Sequence, residues 1–269
     1  MQKNSVPSIA SLTATLCRLM AVTCPEEQLA PALAEVLQAQ QTVLAGRSVQ
    51  KCLVFAPDAL GKHLYRYDPG LFAPIRAHCP LSAEVEAEMP SVTPVCFGSI
   101  FTGLAPQAHG IVTYAKPVLS CDTLFDFLAR AGKRVAIVAV ADSSIDKIFR
   151  NRPIDYFSEP YDQDVTDRTL ALLAADSHDF ILVYQQEYDD TLHEQTPFSD
   201  QAIQAVRNHG RDFEILARAA GEAWKADDHL LVVTPDHGAH IDPENGLGDH
   251  GLAIPEDLEV IHYYGLYPA

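Results

Sequence analysis

The sequence predicts an α/β protein, a three-layer αβα sandwich whose central sheet is mostly parallel. Three observations predict it. Short, almost wholly apolar runs recur at 52–56, 135–140, 180–184 and 230–234, and runs of this kind are the mark of strands buried on both faces, as in parallel sheets. Helical stretches separate them, and alternation of strand and helix implies crossovers that cover both sides of the sheet. Acidic residues come after several of the runs, at the edge where open α/β sheets collect ligands.

Taken in order, residues 1–50 read as a helical N-terminal layer, a cap or an outer layer. Val6 to Met20 and Glu26 to Leu44 carry apolar residues at three- and four-residue spacing, with a break near Cys24-Pro25. Ser, Thr and Arg18 interrupt the first stretch, so it is expected to be an amphipathic helix rather than a signal peptide. From Lys51 the strand pattern begins, and 51–269 is expected to form the core. Asp122 to Ala131 reads as a helix stopped by Gly132, and Ser199 to Lys225 as a long helix with one apolar stripe. There is no internal repeat, low-complexity tract or linker, so 1–269 is taken as a single domain.

Composition excludes several function classes. Hydrophobic residues make up 48% and charged residues 20% of the 269 positions, an ordinary globular balance, and no apolar run approaches the roughly 18 residues of a membrane span. A formal charge of −17, from 19 basic and 36 acidic residues, argues against a nucleic-acid polymer, whose binding draws on clustered Lys and Arg. The six cysteines show no CxxC pairing, which suits reduced thiols in the cytoplasm.

The residues that carry chemistry sit just past the ends of the apolar runs. Ala56 leads into Pro57-Asp58, Tyr184 into Glu187-Tyr188-Asp189-Asp190-Thr191-Leu192-His193, and Thr234 into Pro235-Asp236-His237-Gly238. A single Asp after a strand is commonly a turn former, but three strands delivering carboxylates to one edge would repel one another unless cations sat between them. Interleaved His residues favour zinc, manganese or iron over calcium or magnesium. Asp189 and His193 are four apart, on one side of a helical turn. Thr93 followed by Pro94 reads as a helix N-cap with proline in first position, and a helix start presents N–H groups and a positive dipole end to an anion.

The ordered motifs resemble the alkaline phosphatase superfamily: Asp58; Pro-Ser-Val-Thr93-Pro with Thr102-Gly103-Leu104-Ala-Pro106-Gln-Ala-His109-Gly110-Ile111; Asp189 to His193; Asp236-His237-Gly238; and His250-Gly251. The likeness covers roughly 52–251 and is nearest to the nucleotide pyrophosphatase/phosphodiesterase branch. It implies an alkaline-phosphatase-like fold and a hydrolase of phosphate monoesters or diesters. It further implies two divalent metal ions, zinc or alternatively manganese. One would be held by Asp189, His193 and His250, the other by Asp58, Thr93, Asp236 and His237. Thr93 would be the nucleophile, the reaction would pass through a phosphothreonine, and the partner would be a small-molecule phosphate ester.

Two departures bear on substrate choice. Cys96 stands where that branch places an Asn three residues after the nucleophile, and no Arg matches the phosphate-gripping Arg of alkaline phosphatases. Related possibilities are a phosphomutase on the same metal core, a sulfatase, and a metal-binding relative without catalysis. The spacing from Thr93 to Asp189 leaves little room for a mutase's inserted domain, the C/S-x-P-x-R run of sulfatases is absent, and the intact Thr93 and ligand set count against loss of activity. Lys62, His63, His240 and Asp249 flank the motifs as candidates for substrate contact or ligand support, and His109 is expected to be structural. Residues 1–50 and 141–165 are the expected sources of substrate selection.

Overall fold

A computed structural model describes residues 6–269. Its nine strands are β1 (Lys51–Pro57), β2 (Leu81–Glu86), β3 (Val135–Val140), β4 (Asp155–Glu159), β5 (Phe180–Gln185), β6 (His229–Val233), β7 (His240–Ile241), β8 (Gly248–Asp249) and β9 (Glu259–Tyr267). Seven form one sheet in the order β2-β9-β6-β1-β5-β3-β4, while β7 and β8 pair as a separate ribbon. From β6 to β4 every neighbouring pair is parallel; β9 runs antiparallel to both β6 and β2.

The four apolar runs form β1, β3, β5 and β6, and every residue in those strands is buried. Alternation divides them between two cores. Cys52, Val54 and Ala56 of β1 join Phe180, Leu182 and Tyr184 on one face; Leu53 and Phe55 join Ile181 and Val183 on the other. Helices Ser11–Leu19, Thr93–Thr102 and Leu124–Arg130 cover the first face, and Asp162–Ala174 and Asp200–Ala223 the second. This is the expected three-layer α/β sandwich. Strands β2, β4 and β9 went unpredicted; β2 and β4 alternate or expose polar residues rather than forming buried runs.

The N-terminal layer differs from expectation. Helix Ser11–Leu19 is buried on nearly every side, with only Arg18 exposed, so it is an interior element and not an amphipathic outer one. Its hydroxyls are satisfied inside the protein, which is how a mixed sequence can be buried. Thr13 Oγ1 donates to the Ile100 carbonyl at 2.7 Å, and Thr15 Oγ1 donates to the Ser11 carbonyl at 2.7 Å while accepting from the Leu33 N–H at 2.9 Å. The second predicted helix is shorter than expected: a 3₁₀ turn at Glu26–Gln28, extended chain, then helix Ala34–Val43. Residues 1–5 of the helical N-terminal layer lie outside the described residues. Among the described residues no helix is long and apolar enough to cross a membrane.

Candidate metal centre

The carboxyl ends of the three central strands supply the site. After β1 the chain turns through Ala59 at φ 60°, which aims the Ala59 N–H at Asp236 Oδ1, 3.2 Å away. The loops after β1 and β6 touch so closely that a Cβ on Gly61 would sit 2.3 Å from Gly238 Cα, and one on Gly238 only 1.9 Å from the Glu256 carbonyl oxygen. Glycine is thus obligatory beside Asp236-His237. After β5 the helix Glu187–Glu194 places Asp189 and His193 one turn apart. His250 arrives on the loop after β8.

Six of the seven expected ligands converge, five of them in two overlapping groups that share Asp189. Potential ligand atoms of Asp189, His193 and His250 lie within 4.8 Å of one another, as do those of Asp58, Asp189 and His237. The sixth, Asp236, has Oδ2 3.3 Å from His237 Nε2, and Asp58 Oδ1 is 3.5 Å from the same nitrogen. Thr93, the seventh, lines a cavity of about 250 Å³ together with Asp58 and Asp189. It is the first residue of its helix; the cap is Val92. The expected N-cap role therefore falls one residue earlier, and the Thr93 hydroxyl is not consumed by capping. The N–H groups of Val95 and Cys96 both return to the Val92 carbonyl at 3.0 Å, so they are engaged within the helix start rather than presented to an anion.

The donors are set for a cation. Nδ1 of His193, His250 and His237 lies 3.2, 2.9 and 3.0 Å from the carbonyls of Gly248, Ser91 and Gly238 respectively. A carbonyl accepts only from N–H, so each Nδ1 carries the proton and each Nε2 presents a lone pair to the site. Yet His193 Nε2 and His250 Nε2 stand 3.2 Å apart, lone pair against lone pair. Asp58 Oδ1, Asp189 Oδ1, Asp236 Oδ2 and His237 Nε2 are buried without a hydrogen-bond partner. Such orphaned atoms are costly unless an ion completes them, and this mixed oxygen and nitrogen set fits divalent transition metals.

Electrostatics point the same way. Burial, then the neighbouring Asp236 carboxylate, drives Asp58 well above the usual carboxylate range, and burial, then Asp58, does the same to Asp189. Asp236 is pushed up to about 8, chiefly by burial. Burial lowers His237 to about 4 and, with the adjacent His237 and His193, His250 to about 2. Neutral imidazoles beside carboxylates that resist ionisation together are what a site looks like when its counter-charge is a metal ion.

The flanking candidates resolve into supports. His63 is buried, with Nε2 3.0 Å from the Tyr188 hydroxyl and Nδ1 accepting from the Ala239 N–H at 3.4 Å; Lys62 pairs with Glu84 at 2.7 Å. Neither lines the cavity. His240 Nδ1 bonds Asp257 at 2.8 Å instead of a ligand imidazole, and Asp249 accepts the His250 N–H at 2.8 Å. His109 bonds Ser99 Oγ at 3.0 Å against Gly98, a structural role as expected. Cys96 is buried with its thiol 3.5 Å from the Glu88 carbonyl and its pKa raised by burial, so it neither donates into the cavity nor acts as a nucleophile. Of the two segments expected to select substrate, 141–165 borders the cavity through 141–144, and none of the described residues of 1–50 does.

Sequence reasoning missed the rest of the lining. The Tyr184 hydroxyl donates to Asp58 Oδ2, fixing the carboxylate; a tyrosine as the last residue on its face of an otherwise apolar strand was the available signal. Tyr114 and Lys116 also form part of the wall, with no local pattern to announce them.

Residues 55–245 match the type I phosphodiesterase/nucleotide pyrophosphatase family. No curated protein matches the sequence. Among solved structures, murine ectonucleotide pyrophosphatase/phosphodiesterase 5 is similar at a TM-score of 0.63 and 17% identity, over 82% of this chain and 88% of that one. Its inactive form in complex with AMP gives 0.58 and 21%, over 72% and 59%. Phosphonoacetate hydrolase from Sinorhizobium meliloti, in complex with phosphonoformate, gives 0.55 and 17%, over 75% and 61%. The chain thus spans most of the first of these structures and about three fifths of the other two. With the family match covering well over half its length, the chain belongs to the type I phosphodiesterase/nucleotide pyrophosphatase family of the alkaline phosphatase superfamily, hydrolases of phosphoric ester bonds.

Proposed function

We propose that this protein hydrolyses small-molecule phosphate esters through a phosphothreonine on Thr93, with two divalent metal ions in the cleft. One ion would be held by Asp189, His193 and His250, the other by Asp58, Asp236, His237 and Thr93. The single observation that carries this is the set of lone pairs and orphaned carboxylate oxygens aimed into one space beside Thr93. Three imidazoles among the donors favour zinc, with manganese as the alternative. When bound, the ions supply Lewis-acid stabilisation of charge on the phosphoryl oxygens and on the attacking oxygen.

The chain's own residues do the remainder. Thr93 Oγ forms a bond to phosphorus as the ester P–O bond breaks and the alcohol leaves with the threonine's proton; water then attacks phosphorus, releasing phosphate from a monoester or the remaining phosphomonoester from a diester and restoring the threonine hydroxyl. Tyr184 holds Asp58, and three backbone carbonyls hold the imidazole tautomers. The partner is a small molecule and not a nucleic-acid polymer, in keeping with the −17 formal charge. Six free cysteines favour a reducing, cytoplasmic setting. We treat 1–269 as a single catalytic unit because one seven-stranded sheet takes in both β1 (Lys51–Pro57) and β9 (Glu259–Tyr267).

The test pairs elemental analysis with hydrolysis of nitrophenyl phosphate monoester, diester and phosphonate ester. Two zinc equivalents and turnover of at least one ester are expected, with Thr93→Ala keeping at least one metal but losing turnover. Metal-replete wild type that cleaves none of the three would sink the reading.

A further inference from the structure

The helix that carries Asp189 and His193 is held at its start by side chains from two other helices. A helix leaves its first N–H groups without intrahelical acceptors, and helix Glu187–Glu194 has no side-chain cap of its own at Gln186. Asp162, the first residue of helix Asp162–Ala174, supplies one: its Oδ1 accepts the Gln186 N–H at 3.1 Å and its Oδ2 the Glu187 N–H at 2.9 Å. His209, on helix Asp200–Ala223, takes the next, with Nε2 accepting the Tyr188 N–H at 3.2 Å. Three consecutive N–H groups ahead of Asp189 are therefore engaged from outside the helix.

A buried network stands behind these two acceptors. Because Nε2 of His209 accepts, its Nδ1 carries the proton, and it donates to Gln185 Oε1 at 2.9 Å. Gln185 ends β5 and is fully buried; its Nε2 donates to the Asp162 carbonyl at 3.0 Å and to Thr166 Oγ1 at 2.8 Å. Gln185 thus braces Asp162 with one end of its amide and His209 with the other, and a network whose members are all satisfied is rigid. Neither Asp162 nor His209 lines the cavity or belongs to either cluster of potential ligand atoms. The helix they hold has a load to bear. A carboxylate oxygen of Asp189 lies within 4.8 Å of one of Asp58, and His193 Nε2 stands 3.2 Å from His250 Nε2, so without a cation the donors push the helix outward.

We propose that Asp162 and His209 are positioning residues of the metal centre, fixing helix Glu187–Glu194 so that Asp189 and His193 stand at ligand spacing before a cation arrives. Crowding of the donors is then enforced on folding and does not weaken metal binding. Loss of either acceptor frees the start of the helix and lets Asp189 and His193 retreat from His250 and Asp58. Apolar side chains would fill the same interior but would give the helix no fixed direction. This rests on the metal-dependent reading above and adds to it residues that touch neither the ligand atoms nor the cavity.

The experiment titrates the metal-free full chain with zinc against a chromophoric chelator and, separately, with cobalt(II), whose visible spectrum reports ligand geometry; neither readout needs turnover. His209→Leu and Asp162→Ala should each weaken zinc binding about 10–100-fold and change the cobalt spectrum. His209→Gln and Asp162→Asn, which keep an oxygen acceptor for the N–H groups, should stay close to wild type in both readouts. Lys51→Met, at the opposite end of the sheet, should move neither, which separates positioning from general destabilisation. Circular dichroism identifies the variants that fold, and if His209→Leu does not, the Asp162 pair decides. Folded apolar variants with wild-type affinity and spectrum would overturn the positioning role, as would equal losses in the apolar and the conservative variants; both leave the hydrolase reading standing. Wild type that binds neither metal would overturn both.

Discussion

The two ends of the central sheet treat buried charge in opposite ways. At the amino ends of the strands, Lys51 Nζ lies 2.8 Å from Asp176 and 3.1 Å from Asp179, Arg134 is 2.8 Å from Asp179, and Arg47 is 2.6 Å from Asp228. Each acid there has a basic partner, and the cluster is self-sufficient. Beyond the other end of β1, Asp58, Asp189 and Asp236 meet one another and three imidazoles, with no Lys or Arg in ion-pair reach among the described residues. The same scaffold thus carries one charge cluster completed by side chains and one that is left for an ion from solution to complete. Buried acids are not in themselves a functional signal; buried acids without Lys or Arg are.

The sharpest way to break this contrast is Asp189→Asn, which removes the carboxylate common to both clusters of potential ligand atoms. Activity is expected to fall by about 10²–10³-fold, with elemental analysis showing loss of metal; wild-type metal content in this variant would mean that Asp189 is not a ligand.

Acid should separate the metal centre from the rest of the fold. His109, His209 and His262 lie outside the ligand set, and burial lowers each from 6.5 to about 4. Below pH 6.5 the unfolded chain takes up protons that the folded chain refuses, so this stability is complete above 6.5 and is lost as pH falls through about 4. In chelated protein an NMR pH titration should find these three imidazoles neutral down to about pH 4. Titration near 6.5 would show them to be hydrated.

Tyr184→Phe removes the hydroxyl that orients Asp58 while leaving the ring packed. Metal affinity should drop about 10–100-fold, read by competition with a chromophoric chelator, and an unchanged affinity would make Tyr184 a packing residue only. The smallest effect is expected from Lys51→Met at the paired end. Asp176 is half exposed and Asp179 keeps Arg134, so the loss should be about 1–2 kcal/mol in urea unfolding, with metal content and turnover untouched. Loss of metal on this substitution would mean that the two ends are coupled.

Legibility in the sequence followed burial and chain locality. Strands β1, β3, β5 and β6 were visible because both of their faces are covered, which demands unbroken apolar runs. β4, Asp-Tyr-Phe-Ser-Glu, borders the sheet and carries no such run. The candidate ligand residues were visible because each closely follows a strand or sits in a local motif, whereas Lys116 sits in an irregular loop and joins the cavity only through the packing of that loop on the Asp142 turn. Helix Ser11–Leu19 misled because its threonines look like a wet face, and only the fold reveals that Ile100 and Leu33 satisfy them.

The sequence by itself determined the layered α/β class, the order in which carboxylates and imidazoles emerge at one edge of the sheet, and the threonine placed at a helix start, since apolar period and local turn chemistry are properties of neighbours in the chain. Tertiary structure alone decided which histidine nitrogen faces the cleft, that Asp189 belongs to both clusters of potential ligand atoms, that Tyr184 fixes Asp58, and that a lysine without a carboxylate partner shares the cavity with Thr93. Each of these depends on a contact between residues distant in sequence, with a direction and a length that no local pattern encodes.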